Sequence, residues 1–247
     1  MPTYAPGTLA RVAVTTPEVI PDNTVSVLDH GFVRLDDAMA DDLSVVNGAR
    51  VSFARRREEM DESDEGLIRF LMRDRHGTPF EHNSFRFHIR APIFVTREWM
   101  RHRMSSFNEF SMRYAKATDD FYVPEPEDVR SQVGKPGAYS FEPVSPEVAE
   151  TTREQFQAVY EKAYETYREL VELGVARELA RCVLPVGAYT EFYWTVNARS
   201  LMNFLSLRNA ETAQREIRRY AEACELFLEQ LMPVTYAAFV ANDRTAP

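Results

Sequence analysis

The 247-residue sequence has few of the side chains that support thiol or metal chemistry, with two cysteines and five histidines. It contains neither a Cys-x-x-Cys nor a His-x-x-x-His pattern, so a catalytic metal has no ligand set at the usual spacing. Cys182 and Cys224 fall in apolar helical patterns, and we expect both thiols to be buried and unreactive. The sequence therefore predicts no metal site and no cysteine nucleophile.

Long apolar segments are also missing. No apolar run approaches the ~18 residues of a membrane helix, and residues 1–21 lack the hydrophobic stretch of a signal peptide, so we expect a soluble, cytoplasmic protein. Without a Gly-x-Gly-x-x-Gly pattern, any bound dinucleotide is not held in the Rossmann manner. The net charge of −9 argues against a general nucleic-acid binder. Any phosphate site must then be a local cluster of cations.

Apolar periodicity predicts an α+β fold, in which an antiparallel-rich sheet is packed with several helices. We assign residues 1–247 to a single domain, with residues 1–23 as an N-terminal extension. The expected strands are residues 24–28, 31–35, 84–89 and 189–196, and the expected helices are residues 41–49, 67–72, 93–104, 146–173 and 217–231. Residues 55–65 are predicted to be loop. Residues 123–145, rich in proline and glycine, are predicted to be a long mobile loop.

Polar residues concentrate between Arg101 and Tyr114, where three arginines follow an apolar segment. Each guanidinium presents a fork of donors that matches phosphate or carboxylate oxygens. If the expected helix 93–104 includes both Arg101 and Arg103, their side chains point to different faces of it. They would then serve different ligands, or different parts of one ligand. An extended segment further on would place Ser111 and Arg113 on one side, facing the same oxygens. A solvated basic surface is the alternative interpretation.

The pattern Arg101-His102-Arg103, followed by Ser111 and Arg113-Tyr114, resembles the signature of the flavin-dependent thymidylate synthases. Those enzymes make dTMP from dUMP without an active-site cysteine nucleophile. The resemblance continues through residues 75–82 and 194–208 and covers about residues 25–239. It implies FAD as cofactor, 5,10-methylenetetrahydrofolate as carbon donor and NADPH as reductant. It also implies an obligate oligomer, a homotetramer whose active sites are shared between subunits.

The resemblance assigns a role to each matching residue. Arg208 is the expected catalytic group, because a guanidinium aimed at uracil N3 and O2 stabilises the charge that makes C5 nucleophilic. The expected flavin contacts are His76, Thr78, Glu81, Arg101, His102, Arg103, Asn108, Glu109, Asn197, Arg199 and Asn203. The expected dUMP contacts are Glu98, Arg101, Glu109, Ser111, Arg113, Arg181 and Arg208.

Two positions depart from the family pattern. Glu98 stands where relatives often have glutamine, and Met112 stands where a small residue is common. A carboxylate beside the dUMP phosphate weakens binding unless it pairs with Arg97 or Arg101. The role of Glu98 is therefore open at this point.

Two other classes of function compete with a thymidylate synthase. One is a flavin-binding NADPH oxidoreductase that lacks methyl transfer, which would not need the expected dUMP contacts. The other is a noncatalytic binder of single-stranded RNA or nucleotides, which the acidic net charge disfavours. Residue by residue, local roles also compete: His76 fits a capping or packing role, and Thr78 and Glu81 fit turn chemistry.

Overall fold

The computed structural model describes residues 20–135 and 138–247. Its strands are β1 (Thr24–Val27), β2 (Gly31–Met39), β3 (Ser84–Pro92), β4 (Ser105–Glu109), β5 (Arg130–Lys135), β6 (Ala138–Pro143) and β7 (Tyr189–Asn197). Five of them form an antiparallel sheet in the order β1-β2-β3-β7-β4, and β5 and β6 pair separately as a hairpin.

Helices of the described chain pack against this sheet and against one another. They are α1 (Asp42–Arg50), α2 (Glu62–Arg73), α3 (Thr78–Glu81), α4 (Ile93–Trp99), α5 (Pro146–Glu172), α6 (Arg177–Ala180), α7 (Ala198–Arg208), α8 (Arg215–Leu231) and α9 (Pro233–Ala241). Helices combined with an antiparallel sheet confirm the predicted α+β class. The single-domain assignment stays a prediction. Residues 1–19 of the proposed N-terminal extension lie outside the described residues. No described helix has the length and apolar character needed to cross a membrane.

The core lies on one face of the central strands. Along β3, Phe85, Phe87 and Ile89 are fully buried, and they alternate with Arg86 and His88 on the other face. Strand β7 follows the same period of two and pairs with β3 along the full length of both strands. The alternation of apolar and polar residues along 84–89 is visible in the sequence and matches the buried face of β3.

Three aromatic rings fix two helices onto that face. The Trp99 ring, at the end of α4, lies 4.8 Å from the Phe204 ring of α7 and 5.3 Å from the Trp194 ring of β7. All three side chains are fully buried. Because each buried aromatic removes about 150–250 Å² from water, this contact sets how α4 and α7 cross the sheet.

Three predicted segments differ from the structure. The predicted helix 93–104 ends at Trp99, because the chain must turn to begin pairing with β7 at Ser105. The predicted loop 123–145 contains the β5–β6 hairpin, in which Gly134 adopts a φ of +109° and Arg130 lies 4.8 Å over the Phe141 ring. Tertiary pairing overrode the local composition in both cases.

The third difference is the predicted loop 55–65, whose last residues begin α2. Asp61 caps this helix by accepting the Ser63 and Asp64 backbone N–H groups, and the Asp64 side chain accepts the Asp61 N–H in return. This reciprocal capping box satisfies donors that the first helical turn leaves free. The acidic run was read as loop, although its Asp-x-x-Asp spacing carried the capping signal.

Asp64 also joins α2 to the end of α1. It is fully buried, and its Oδ1 accepts from Arg50 Nε at 2.9 Å and from Arg50 Nη2 at 2.5 Å. We expect Asp64→Ala to lower the free energy of unfolding by about 3–5 kcal/mol, because it leaves a partly buried guanidinium without its partner. Urea denaturation measures the change.

The matched control is Glu65→Ala, one residue along the same helix. Glu65 forms an exposed pair with Arg69 at 3.5 Å, and its loss should cost less than about 1 kcal/mol. Equal losses in the two variants would contradict a structural role for the buried pair.

Candidate active site

A cavity of about 1040 Å³ opens where α7 follows β7. Its polar lining contains many of the expected site residues, namely Glu81, Arg101, His102, Arg103, Asn197, Arg199, Asn203 and Arg208. Its size lies at the upper end of the ~300–1,000 Å³ typical of ligand sites. The turn after α4, the end of β7 and one side of α7 thus bring separate sequence blocks together.

The first turn of α7 supplies one wall of the cavity. Asn197 is the N-cap of α7, since its side chain accepts the Ser200 backbone N–H at 2.8 Å. Asn197 is the last residue of β7, and Arg199 lies in the first turn of α7. Arg199 and Asn203 are four residues apart and share a helix face. A helix N-terminus with an added guanidinium is favourable for an anionic ligand.

Arg199 has two partners in the described chain. Its Nη1 pairs with Glu81 at the end of α3 at 2.5 Å, and its Nε donates to the Pro247 carbonyl oxygen at 2.8 Å. The side chain passes over Gly77, where a Cβ atom would lie 2.6 Å from the Arg199 Cζ. The absence of a side chain at position 77 therefore allows this course.

Arg208, the last residue of α7, is held at the other side of the cavity. Its Nη1 lies 2.7 Å from Glu98 Oε2, and its Nη2 donates to the Glu98 carbonyl oxygen at 3.2 Å. Its Nε donates to His102 Nε2 at 3.0 Å. Glu98 therefore pairs with Arg208, and neither of the partners suggested by the sequence, Arg97 or Arg101, is needed to neutralise it.

His102 is electrically neutral in this arrangement. Burial, followed by the positive charges of Arg208 and Arg101, lowers its pKa from the ordinary 6.5 to about 4. A neutral ring can accept the Arg208 Nε–H at Nε2, which assigns the ring proton to Nδ1. The low pKa and the hydrogen bond therefore agree.

A second group of expected residues lies at the opposite end of β4. Ser111 to Tyr114 form a turn, closed by the Tyr114 N–H donating to the Ser111 carbonyl at 3.0 Å. The prediction of an extended Ser111–Arg113 segment is therefore wrong. Arg113 lies 3.4 Å from Glu178 of α6, and Arg177 donates to the Tyr114 carbonyl at 2.8 Å. Arg181 follows directly in a short 3-10 helix.

The two groups stand well apart in one chain. Ser105 pairs with Val196 beside the cavity, and Glu109 pairs with Phe192 near the turn. At about 3.3 Å per residue, the four intervening steps amount to ~13 Å. Arg101 and Arg103 both line this cavity, although the helix expected to carry them ends at Trp99. That they serve different ligands, or different parts of one, stays a prediction.

Four expected flavin contacts lie outside the cavity lining. His76 is exposed and stacks on Phe70 with the ring centroids 5.5 Å apart, while exposed Thr78 begins α3. Asn108 and Glu109 lie on β4, where Glu109 Oε1 accepts from Thr190 Oγ1 at 2.9 Å. None of the four lines the cavity that contains the other seven expected flavin contacts.

Comparisons with known proteins agree with this arrangement. Residues 34–234 match the family model described as "Thymidylate synthase complementing protein". A flavin-dependent thymidylate synthase of Thermotoga neapolitana is 48% identical over 87% of this chain and 94% of its own length. One from Thermosipho africanus is 46% identical over 87% of this chain and 92% of its own length. The chain belongs to the flavin-dependent thymidylate synthases.

Solved structures add the fold. The chain superposes on a UMP/dUMP methylase from Streptomyces cacaoi, solved with 5-Br dUMP, with a TM-score of 0.84 and 45% identity. The alignment covers 90% of this chain and all of that one. The same methylase solved with 5-Br UMP gives a TM-score of 0.83. The chain therefore shares its overall fold with this methylase.

The lining residues of the cavity fit a flavin nucleotide. Its pyrophosphate requires fixed positive charge and N–H donors, which Arg101, Arg103, Arg199 and the α7 N-terminus supply. Met104 and Leu207 add apolar surface to the same cavity. Among the described residues, no group of three or more metal-ligating side chains is present.

The sequence reasoning missed several lining residues. Ser105 and Ser200 belong to the recognised blocks, and their positions beside Arg103 and Arg199 could have indicated them. Ala246 and Pro247 carried no such signal. They reach the cavity because the chain after α9 folds back along α7, where Ser206 donates to the Arg244 carbonyl at 2.5 Å.

The cysteine prediction was half correct. Cys224 is fully buried in α8, and burial raises the pKa of its thiol. Cys182 is exposed in the short helix after α6, so its predicted burial was wrong. Its apolar neighbours in sequence fall in a 3-10 turn, where helical periodicity does not apply.

Gly77→Ala should weaken flavin binding while the fold is retained. The added methyl group displaces the Arg199 side chain, and a hydrogen bond to a charged group is worth about 1.5 kcal/mol or more, which corresponds to a ~10-fold higher flavin Kd. Flavin fluorescence titration measures this. Gly66→Ala is the matched control, since open space surrounds position 66 in α2. An unchanged Kd in Gly77→Ala would remove Arg199 from the flavin site.

The His102 pKa can be read by NMR titration of its ring protons, with an expected value of about 4. Arg208→Gln should raise it by removing a nearby positive charge, and Arg101→Gln should raise it less. Arg69→Gln, on the exposed face of α2, should leave the His102 pKa unchanged. A value near 6.5 in the unaltered protein would contradict the neutral, hydrogen-bonded ring.

The lowered pKa of His102 makes the folding stability depend on pH. Because the folded-state pKa lies below the unfolded value, the unfolded chain takes up more protons between pH 6.5 and about 4. The contribution of His102 to folding stability therefore falls as the pH drops through this window. Replacing His102 with glutamine should remove this part of the acid dependence.

Proposed function

We propose that the protein catalyses the reductive methylation of dUMP to dTMP, with FAD as cofactor, 5,10-methylenetetrahydrofolate as carbon donor and NADPH as reductant. The observation that supports this most strongly is Arg208. Its guanidinium is fixed by Glu98 and His102 at the edge of the cavity that holds most of the expected flavin contacts. An enzyme that only oxidised NADPH through a flavin would not need a guanidinium held in this way.

Arg208 performs the activating step electrostatically. As negative charge develops on the uracil ring, fixed N–H donors stabilise it without solvent reorganisation, and C5 becomes nucleophilic towards the methylene carbon. Arg208 is a donor and not a base, because a guanidinium stays protonated in proteins. Held by residues of the cavity such as Arg103 and Arg199, a reduced flavin would supply hydride for the reduction of the transferred methylene to a methyl group, with tetrahydrofolate as the other product.

No thiol takes part in this proposal. Cys224 is fully buried away from the cavity lining, and Cys182 lies exposed beyond α6 with its Sγ 3.6 Å from the Glu178 carbonyl. Neither residue lines the cavity. A nucleophilic cysteine would need an adjacent base or a depressed pKa, and burial raises the pKa of Cys224.

The dUMP phosphate is assigned to the second group of residues. Ser111, Arg113 and Arg181 supply a hydroxyl and two guanidinium groups at the turn against α6. In one chain this group lies ~13 Å along β4 from the cavity. We therefore assign each active site to the cavity of one chain and the turn of another, within a homotetramer.

Exposed apolar side chains support the assembly. Val51 and Phe53 follow α1 and are 72% and 76% exposed, and Met104 beside the cavity is 78% exposed. Surfaces of this kind are commonly covered by another chain. Such a chain would also bring its own Ser111, Arg113 and Arg181.

The deciding experiment is an assay with dUMP, 5,10-methylenetetrahydrofolate, FAD and NADPH. The expected products are dTMP and tetrahydrofolate, rather than dihydrofolate. NADPH oxidation without dTMP would instead favour the flavin oxidoreductase. A parallel reaction with UMP belongs in the same assay, because the related methylase from Streptomyces cacaoi is described as acting on UMP and dUMP.

Arg208→Ala should lower kcat for dTMP formation about 10²–10³-fold, the typical cost of one preorganised charge-stabilising donor. Flavin absorbance of the purified variant should be retained, because Arg199 and Arg103 remain. Arg69→Ala, on the exposed face of α2, is the control and should keep full activity. Near-normal turnover of the Arg208 variant would exclude the residue from the mechanism.

Shared sites predict recovery of activity on mixing two inactive variants. Arg208→Ala alters the cavity and Arg113→Ala alters the turn, so about a quarter of the sites in randomly mixed assemblies should be intact. Arg208→Ala mixed with Arg199→Ala is the control and should recover nothing, because both residues line one cavity of the same chain. Chains with different tags verify the exchange of subunits. Verified mixing without recovery in the first pair would contradict shared sites.

A further inference from the structure

Glu98 contacts Arg208 twice and is positioned by the core. Its carboxylate lies 2.7 Å from Nη1 and its carbonyl oxygen 3.2 Å from Nη2. The Arg208 and Glu98 side chains are 17% and 27% exposed, so the pair is largely shielded from water. An ion pair in such surroundings is screened less than one on the surface.

The partners of Arg208 are fixed by neighbouring packing. Glu98 precedes Trp99, whose buried ring stacks on Phe204 of α7 at 4.8 Å. The His102 ring meets the same Phe204 ring edge-on at 5.0 Å. Both Glu98 and His102 are thereby held against the helix that carries Arg208, so the acceptors on either side of the guanidinium keep their places.

Three of the five Arg208 N–H groups are hydrogen-bonded within the described chain, which identifies the donors that remain. A guanidinium has five N–H groups, and the contacts to Glu98 and His102 use one each on Nη1, Nη2 and Nε. One N–H on each terminal nitrogen is left without a contact among the described residues. These two donors are the ones available to a uracil ring.

We infer that Glu98 is a positioning residue, which acts on the nucleotide through Arg208 and does not bind the phosphate itself. This inference rests on the proposed function. An arginine side chain has considerable rotamer freedom, whereas charge stabilisation in the transition state requires donors that are already in place. A carboxylate directed at a phosphate would repel it, and pairing with Arg208 removes that conflict. A glutamine at this position would also present an oxygen to the guanidinium.

The test compares Glu98→Ala with Glu98→Gln. Glu98→Ala frees the guanidinium and should lower kcat for dTMP formation on the order of 10²-fold, the effect of a small misplacement of a catalytic group. The KM for dUMP should change less than about 3-fold, since Glu98 does not contact the phosphate. Glu98→Gln keeps an acceptor oxygen and should restore kcat to within about 5-fold of the unaltered enzyme. Glu65→Ala removes the carboxylate partner of Arg69 on the exposed face of α2, and this control variant should leave kcat and KM unchanged.

A double variant separates action through Arg208 from direct action. In an Arg208→Ala background, Glu98→Ala should cause no further loss of kcat, because its only target is gone. Additive losses would overturn the inference. So would a Glu98→Ala enzyme with normal kcat and a raised KM for dUMP, or a Glu98→Gln enzyme as slow as Glu98→Ala.

A measurement on the resting protein keeps the inference independent of turnover. The Arg208 Nη–H groups that contact Glu98 should give a slowly exchanging ¹⁵N NMR signal, which Glu98→Ala broadens or removes and Glu98→Gln retains. Unchanged near-ultraviolet circular dichroism shows that each variant is folded. If the unaltered protein forms no dTMP, the proposed function fails. If the Arg208 signal is unaltered in Glu98→Ala, the positioning role fails.

Discussion

The packing of Trp99 against Phe204 and Trp194 is the contact on which the active site depends. It joins α4, α7 and the central strand β7 through three buried rings. Glu98 and His102 lie within three residues of Trp99, and Arg208 lies one helical turn beyond Phe204. A loss of this packing would therefore move both halves of the Arg208 hydrogen-bonding network relative to each other.

The sheet divides the functional residues into two groups. Strand β7 ends at the cavity, where Asn197 caps α7, and it begins near the turn that carries Arg113. A strand is stiff and extends about 3.3 Å per residue, so one chain cannot close the distance by local rearrangement. This geometry supports the proposal that each active site is formed between two chains.

The arginines of an acidic protein are used locally. Within the cavity, Arg199 is paired with Glu81 and Arg208 with Glu98. These carboxylates offset the repulsion between neighbouring guanidinium groups and hold each fork in one orientation. The net charge of −9 therefore coexists with a site built for anionic ligands.

The sequence by itself determined the α+β class, the buried face of β3, and the polar blocks that carry the family resemblance. These features depend on local periodicity and on residue type, both of which can be read along the chain. Only the tertiary structure decided that α4 ends at Trp99 and that Glu98 pairs with Arg208. It also decided that Ala246 and Pro247 line the cavity and that Cys182 is exposed. Each of these depends on which distant segment packs alongside, and partners separated by as many as 110 positions, as Glu98 and Arg208 are, leave no periodic signal in the sequence.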